Sequence, residues 1–213
     1  MDSRAGYRLV IFDFDGTLAD SFPWLAAELN AVAARWRFKP VAPGESERLR
    51  QQSAREILRH LCVPAWKLPL VAADLRRRMT ADIDAIRRFD GVDAMLGRLQ
   101  GAGIELGIAT SNSAENVRRV LGPACLRCIR RLETGASIHG KGVRLLRMQR
   151  AAGVAPEQVL YIGDELRDIE AARKAGVGAG AVGWGYNRPE ALQRARPDLF
   201  FDNIHDIATR LTP

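Results

Sequence analysis

Three cysteines in 213 residues cannot build a disulfide framework. Cys125 and Cys128 form one CxxC, but no second pair completes the four ligands of a structural zinc site, and His139 stands at no zinc-ligand spacing. No apolar run approaches the roughly 20 residues of a membrane helix. The opening MDSRAGYRLVIF lacks the long apolar stretch and small-residue cleavage site of a secretory leader. A cytoplasmic protein with no membrane partner is the expectation. No Lys/Arg block sits among stacking aromatics, although the formal net charge is +7. The arginines instead disperse along predicted helices (Arg48, Arg50, Arg55, Arg76, Arg77, Arg78, Arg87, Arg88), where solvated faces account for them. Nucleic acid is therefore a disfavoured partner, while a field that attracts small anions remains. No internal repeat or low-complexity segment occurs.

What is present is a core-building composition, 47% hydrophobic and 27% charged. The most informative segment is LVIFDFDGTLADS, residues 9–21. An apolar run ends in Asp13 and Asp15, followed by Gly16 and Thr17. It reads as a buried strand that stops at a turn. Positions i and i+2 of an extended chain point the same way, so both carboxylates crowd one site. Two such anions repel unless a cation or a shared proton compensates.

Residues 22–88 read as wholly helical. Trp24, Leu25, Leu29, Val32 and Trp36 follow helical spacing; KPVAPG (39–44) interrupts; 45–61 reads as a second helix; a third carries Val71, Leu75, Met79, Ile83 and Ile86. From Phe89 onward helix and strand alternate, with helices over 92–99, 114–121, 141–151, 167–175, 189–195 and 204–211. Strands are expected over 104–110, 126–132, 158–163, 179–183 and 199–201. That alternation predicts an α/β fold, a Rossmann-like parallel sheet covered on both faces. The helical block is then an inserted cap, giving a core of 1–19 and 89–213 and a cap of 20–88. Gly178, Gly180 and Gly183 spell GxGxxG, but they follow a helix instead of opening one, so a dinucleotide loop is set aside.

In open parallel sheets ligands bind beyond the carboxyl ends of the strands. Three strand ends carry chemistry: Asp13 to Thr17, ATSNS (109–113), and GDELRD (163–168), with Gly140-Lys141-Gly142 opening a helix between the last two. Carboxylates, hydroxyls, backbone donors and one amine suit a magnesium ion and a phosphoryl group.

This order and spacing resembles the haloacid dehalogenase (HAD) superfamily, in particular its capped, phosphoglycolate-phosphatase-like branch. The likeness extends to the WGYN stretch, 184–187. It implies a Mg²⁺-dependent phosphatase acting on a small phosphorylated metabolite through an aspartyl-phosphate. Asp13 is implied as nucleophile and Asp15 as the acid and base that protonates the leaving alcohol and then activates water. Thr110 and Lys141 are implied as catalytic partners of the phosphoryl group, and Gly16, Ser111 and Asn112 as substrate contacts. The implied metal ligands are Asp13, Asp15 through its main-chain carbonyl, Asp164, and Asp168. For Asp168, ligation through water, orientation of Asp164 and pairing with Arg167 all stay open. Asn112 with Glu115 also reads as a cap for the next helix.

Other functions remain to be weighed. A phosphomutase of the same family would regenerate a bisphosphate instead of releasing phosphate. Haloacid dehalogenation leaves Asp15 and Asp164 without a task. A non-catalytic module for phosphorylated or nucleic-acid ligands has no use for the full catalytic set. On the cap, Trp24, Arg48, Arg50 and Arg55 either read the substrate or simply pack and solvate. A cap that hinges near Ala19-Asp20 and Phe89-Asp90 would exclude water during the first transfer. The residues leave the oligomeric state open between monomer and homodimer.

Overall fold

The computed structural model of the protein describes residues 6–135 and 140–212, so His139 lies outside the described residues. Six parallel strands form one sheet in the order β3-β2-β1-β4-β5-β6. They are β1 (Leu9–Phe12), β2 (Glu105–Ala109), β3 (Ile129–Glu133), β4 (Val159–Gly163), β5 (Gly178–Val182) and β6 (Leu199–Phe201). β1 lies at the centre, with Leu9 in register with Glu105 on one side and Val159 on the other.

Both faces are covered, and for that reason β1 is apolar at every position. Alternation sorts its side chains. Val10 and Phe12 join a core with α5 (Val92–Gly101), α6 (Ala114–Cys128) and α10 (Ile204–Leu211). Leu9 and Ile11 join a second core with α7 (Gly140–Ala152), α8 (Leu166–Ala175) and Leu192 of α9 (Pro189–Arg194). The chain turns to opposite sides of β1, leaving a crevice between the carboxyl ends of β1 and β4.

The cap is all-helical: α1 (Phe22–Trp36), α2 (Ser46–Leu49), α3 (Ala54–His60) and α4 (Leu68–Ala81). Val32, Ala33, Phe38, Leu61 and Val71 form its own core. At its root two backbone bonds hold it: the Asp20 amide donates to the Arg87 carbonyl at 2.8 Å, and the Phe89 amide to the Leu18 carbonyl at 3.0 Å. Among the described residues no helix is long and apolar enough to cross a membrane.

Three local expectations are corrected. The expected helix over 45–61 is two helices. The first ends at Leu49, and Ser53 starts the second, its side chain and that of Glu56 bonding each other's amides as a capping box. The third cap helix ends at Ala81, because Ile83 and Ile86 leave it to join the core beneath the sheet's helices. The helix from Ala114 ends at Leu121 as expected, but non-helical Gly122 (φ +71°) leads into a second helical segment from Pro123 to Cys128, which takes up the start of the strand expected over 126–132.

Candidate active site

β1 delivers its two carboxylates to different surroundings. Asp13 is buried, its amide donating to the Ile162 carbonyl on β4 at 2.8 Å. Lys141, on the first turn of α7, grips Asp13 Oδ2 and reaches Asp168 Oδ1 at 2.6 Å. Asp15 opens the turn, half-buried, where Asn112 Nδ2 donates to both of its oxygens at 3.1 Å. The two acids therefore have separate partners despite lying two positions apart.

Asp164 follows β4 and is fully buried. It accepts from Thr17 Oγ1 at 2.8 Å and from the Tyr186 amide at 2.7 Å. Two glycines make room for it. A Cβ on Gly16, whose φ is +74°, would stand 2.1 Å from Asp164 Oδ2. One on Gly185 would stand 2.2 Å from Asp164 Cβ. Gly16→Ala thus combines a left-handed backbone with a clash. It is expected to lose roughly 2–5 kcal/mol in urea denaturation; a variant as stable as the parent would show that Asp164 moves aside freely.

Asp168 is already engaged. Lys141 and the Tyr161 hydroxyl (3.1 Å) share Oδ1, and the Glu165 amide donates to Oδ2 at 3.0 Å. Arg167 pairs with Glu165, not with Asp168. Thr110, at the end of β2, is held by its amide on Glu133 (2.9 Å) and by Arg144 on its carbonyl, and its Oγ1 accepts from the Asn112 amide at 3.0 Å. The hydroxyl proton remains to donate. Ser111 is exposed beside it. The cap of α6 is Ser113, which accepts from the Asn116 amide, and not Asn112. Asn112 is spent on Asp15 instead. The Gly16 amide donates to Ala19 at 2.8 Å, so Gly16 contributes space for Asp164 more than a free donor.

Electrostatics follow from this burial. Desolvation, only partly offset by Lys141, raises the Asp13 carboxyl to about 7. Desolvation and the neighbouring Glu165, Asp168 and Asp13 charges push Asp164 well above the ordinary carboxylate range. Burial also raises Asp15 against its hydrogen bonds from Asn112 and Ser21. Burial alone would raise Asp168, but Lys141 and Arg167 bring it below the ordinary value. Burial opposes the charge on Lys141, yet Asp13 and Asp168 hold the amine above its ordinary pKa.

One oxygen each from Asp13, Asp164 and Asp168 lies within 4.8 Å of the others. Lys141 pairs with Asp13 and Asp168, and Asp164 accepts only from Thr17 and the Tyr186 amide, so all three carboxylates ionise together only with a further cation among them. Hard oxygen donors with uncompensated charge fit Mg²⁺.

Sequence reading missed the residues behind these acids. Thr17 lies inside the DGT motif. Gly185, Tyr186 and Asn187 follow β5, one strand end beyond the three inspected. From the cap, Arg50 donates to the carbonyls of Gly185 (2.7 Å) and Tyr186 (3.0 Å). Asn187 returns the contact, donating to the carbonyls of Arg50 (2.8 Å) and Gln52 (2.9 Å), while its oxygen accepts from the Leu166 amide at 2.9 Å. Arg48 is exposed and pairs with Glu45; Arg55 is exposed; Trp24 bonds Asp82.

A parallel sheet that gathers acids, an amine and hydroxyls at its central crevice, beneath a helical cap, defines a hydrolase class. Residues 10–182 match the family model of the haloacid dehalogenase-like hydrolases, and the chain belongs to that family. It is 35% identical to the phosphoglycolate phosphatase of Synechococcus elongatus over 206 residues, covering 96% of this chain and 97% of that one. It is 36% identical to the phosphoglycolate phosphatase of Xylella fastidiosa (strain Temecula1) over 195 residues, 86% and 83% of the two chains. A candidate phosphoglycolate phosphatase from Lactobacillus plantarum superposes with a TM-score of 0.81 at 24% identity, covering 96% of this chain and 99% of that one. The chain is thus an enzyme of the phosphatase kind.

Proposed function

We propose that the protein hydrolyses a small phosphomonoester to an alcohol and inorganic phosphate through a phosphorylated Asp13, with phosphoglycolate, the substrate in its relatives' names, as the first to test. The observation that carries the reading is the unequal treatment of Asp13 and Asp15. One is gripped by an ammonium inside the acidic cluster; the other is set apart from that cluster on an amide donor. Two carboxyls with divergent environments suit a nucleophile and an acid.

Asp13 Oδ1 attacks phosphorus while Lys141 neutralises the adjoining oxygen. The bond from phosphorus to the ester oxygen breaks, and Asp15 gives that oxygen its proton. Asp15, now ionised, takes a proton from water, whose oxygen attacks the phosphorus of the Asp13 acyl phosphate. Phosphate departs and Asp13 is restored. Thr110 donates its hydroxyl, and Ser111 its amide, to the phosphoryl oxygens. Asp13, Asp164 and the Asp15 carbonyl would hold Mg²⁺, which supplies positive charge to the transferring group. Asp168 acts by fixing Lys141, with direct ligation unnecessary. The same reading takes residues 20–88 as a cap hinged on the paired segments at Asp20 and Phe89, and places the enzyme in the cytoplasm, where the free cysteines Cys62, Cys125 and Cys128 stay reduced.

The test is release of inorganic phosphate from 2-phosphoglycolate with Mg²⁺. Turnover with stoichiometric phosphate is expected. Phosphoryl transfer to a second sugar phosphate without free phosphate would make the enzyme a mutase; no reaction with any phosphomonoester would end the reading.

A further inference from the structure

The amide that holds Asp15 is itself held, by a residue with no part in the phosphoryl transfer. Ser113 caps α6, so Asn116 stands at the third helical position, its own amide donating to Ser113 Oγ at 3.1 Å. A Glu or Gln there commonly reaches back to the cap's main chain. The shorter Asn116 side chain makes other bonds. Its Nδ2 donates to Asn112 Oδ1 at 2.8 Å and to Thr80 Oγ1, at the end of α4, at 3.1 Å. Both asparagines are buried.

The Ser113 main-chain N–H also donates to Asn112 Oδ1, at 2.8 Å. A main-chain N–H can only donate, so this end of the Asn112 amide is its oxygen and the other end is the NH2 group. One donor alone would leave the amide to swing about its broad terminal torsion. Two donors occupy both lone pairs of the oxygen and fix the amide plane. The NH2 group then meets both oxygens of Asp15 at 3.1 Å and Met79 Sδ of α4 at 3.2 Å.

Packing gives no reason for an asparagine at 116. Its Oδ1 is buried without a hydrogen-bond partner among the described residues, which destabilises the fold. A leucine of similar size would carry no such acceptor, and the next residue, Val117, already belongs to the core.

We infer that Asn116 is a positioning residue for acid catalysis: by fixing the Asn112 amide it orients the Asp15 carboxyl toward the leaving oxygen. It acts only through Asn112 and touches no reacting atom. The inference rests on the assignment of Asp15 as the acid.

Leaving-group dependence tests it. An alkyl leaving group such as glycolate needs the proton; p-nitrophenolate does not. The quantity to compare is kcat/KM, which reports the steps through the first phosphoryl transfer. Asn116→Leu removes the donor and the orphaned acceptor together. It is expected to lose roughly 10–100-fold in kcat/KM on 2-phosphoglycolate, and at least about tenfold less than that loss on p-nitrophenyl phosphate. Asn116→Ala should show the same selectivity and covers the case of a leucine that overpacks and does not fold. With Asn112→Ala already in place, Asn116→Leu should lower kcat/KM no further, because both changes cut one chain of contacts. Equal losses on the two esters, or an undiminished loss in the Asn112→Ala background, overturn the inference while leaving the phosphatase reading intact. If Asp15→Asn itself shows no leaving-group selectivity, the acid assignment falls and the inference falls with it.

Discussion

Asp13→Asn is expected to lower phosphate release by at least about a thousandfold, near 4 kcal/mol in the barrier, with the fold intact. The amide oxygen can still accept from Lys141, but an amide is not a nucleophile toward phosphorus. The fold should survive for a reason visible in the site. Burial makes ionised Asp13 unfavourable enough to raise its pKa to about 7, so a neutral side chain of the same shape removes a burden. Lys141 keeps Asp168 as a partner at 2.6 Å. Phosphate assays and thermal melts on the same preparation check both halves. Activity within tenfold of the parent would remove Asp13 as nucleophile, whereas a large drop in melting temperature would recast it as structural.

Stripping divalent cations should abolish turnover and also reverse the usual pH dependence of stability. The folded chain raises Asp13 from an ordinary 3.8 to about 7 and moves Asp164 in the same direction. Between those pH values the folded state retains protons that the unfolded chain has released. Raising the pH therefore favours unfolding. The contribution is fully present below about pH 4 and is lost as the pH rises through about 7. Asp168 acts oppositely: its lowered pKa stabilises the fold above the unfolded value and is lost only in more acid solution. In chelator, the melting temperature is expected to fall between about pH 5 and pH 8, by up to ~1.4 kcal/mol per pH unit for each group, or roughly 2–4 °C per kcal/mol. Mg²⁺ at 100 times its Kd should restore about 2.7 kcal/mol at the upper pH. A melting temperature that rises across that window in chelator, or does not respond to Mg²⁺, would argue against a cation site among these acids.

The chemistry lay near the surface of the sequence because it sits at strand ends. LVIF followed by two aspartates can hardly be anything but a buried strand reaching a charged turn, and the doubly covered parallel sheet follows from the later alternation. The supporting contacts were harder to read because they are tertiary. Thr17 bonds a residue 147 positions away, and Tyr186 bonds Ser21 across 165. No local pattern announces such partners, although the rule that led to three strand ends applied equally to the fourth, after β5. Within the cap, the Ser53–Glu56 capping box was present in the letters and was passed over in favour of apolar spacing. The departure of Ile83 and Ile86 from helical geometry was not legible at all, since a core distant in sequence draws them out of it.

The contact between the middle of the cap and the loop after β5 also orders events at the ribosome. Arg50 and its carbonyl partners are separated by 135 and 136 residues. During synthesis the helices of the insertion emerge long before the turn that holds them. The nascent chain thus carries a cap held at its root and by the contacts of Asn112 and Asn116 with Met79 and Thr80 until Gly185 and Tyr186 appear, and a chain stopped before β5 keeps Asp13 but lacks the clasp above it.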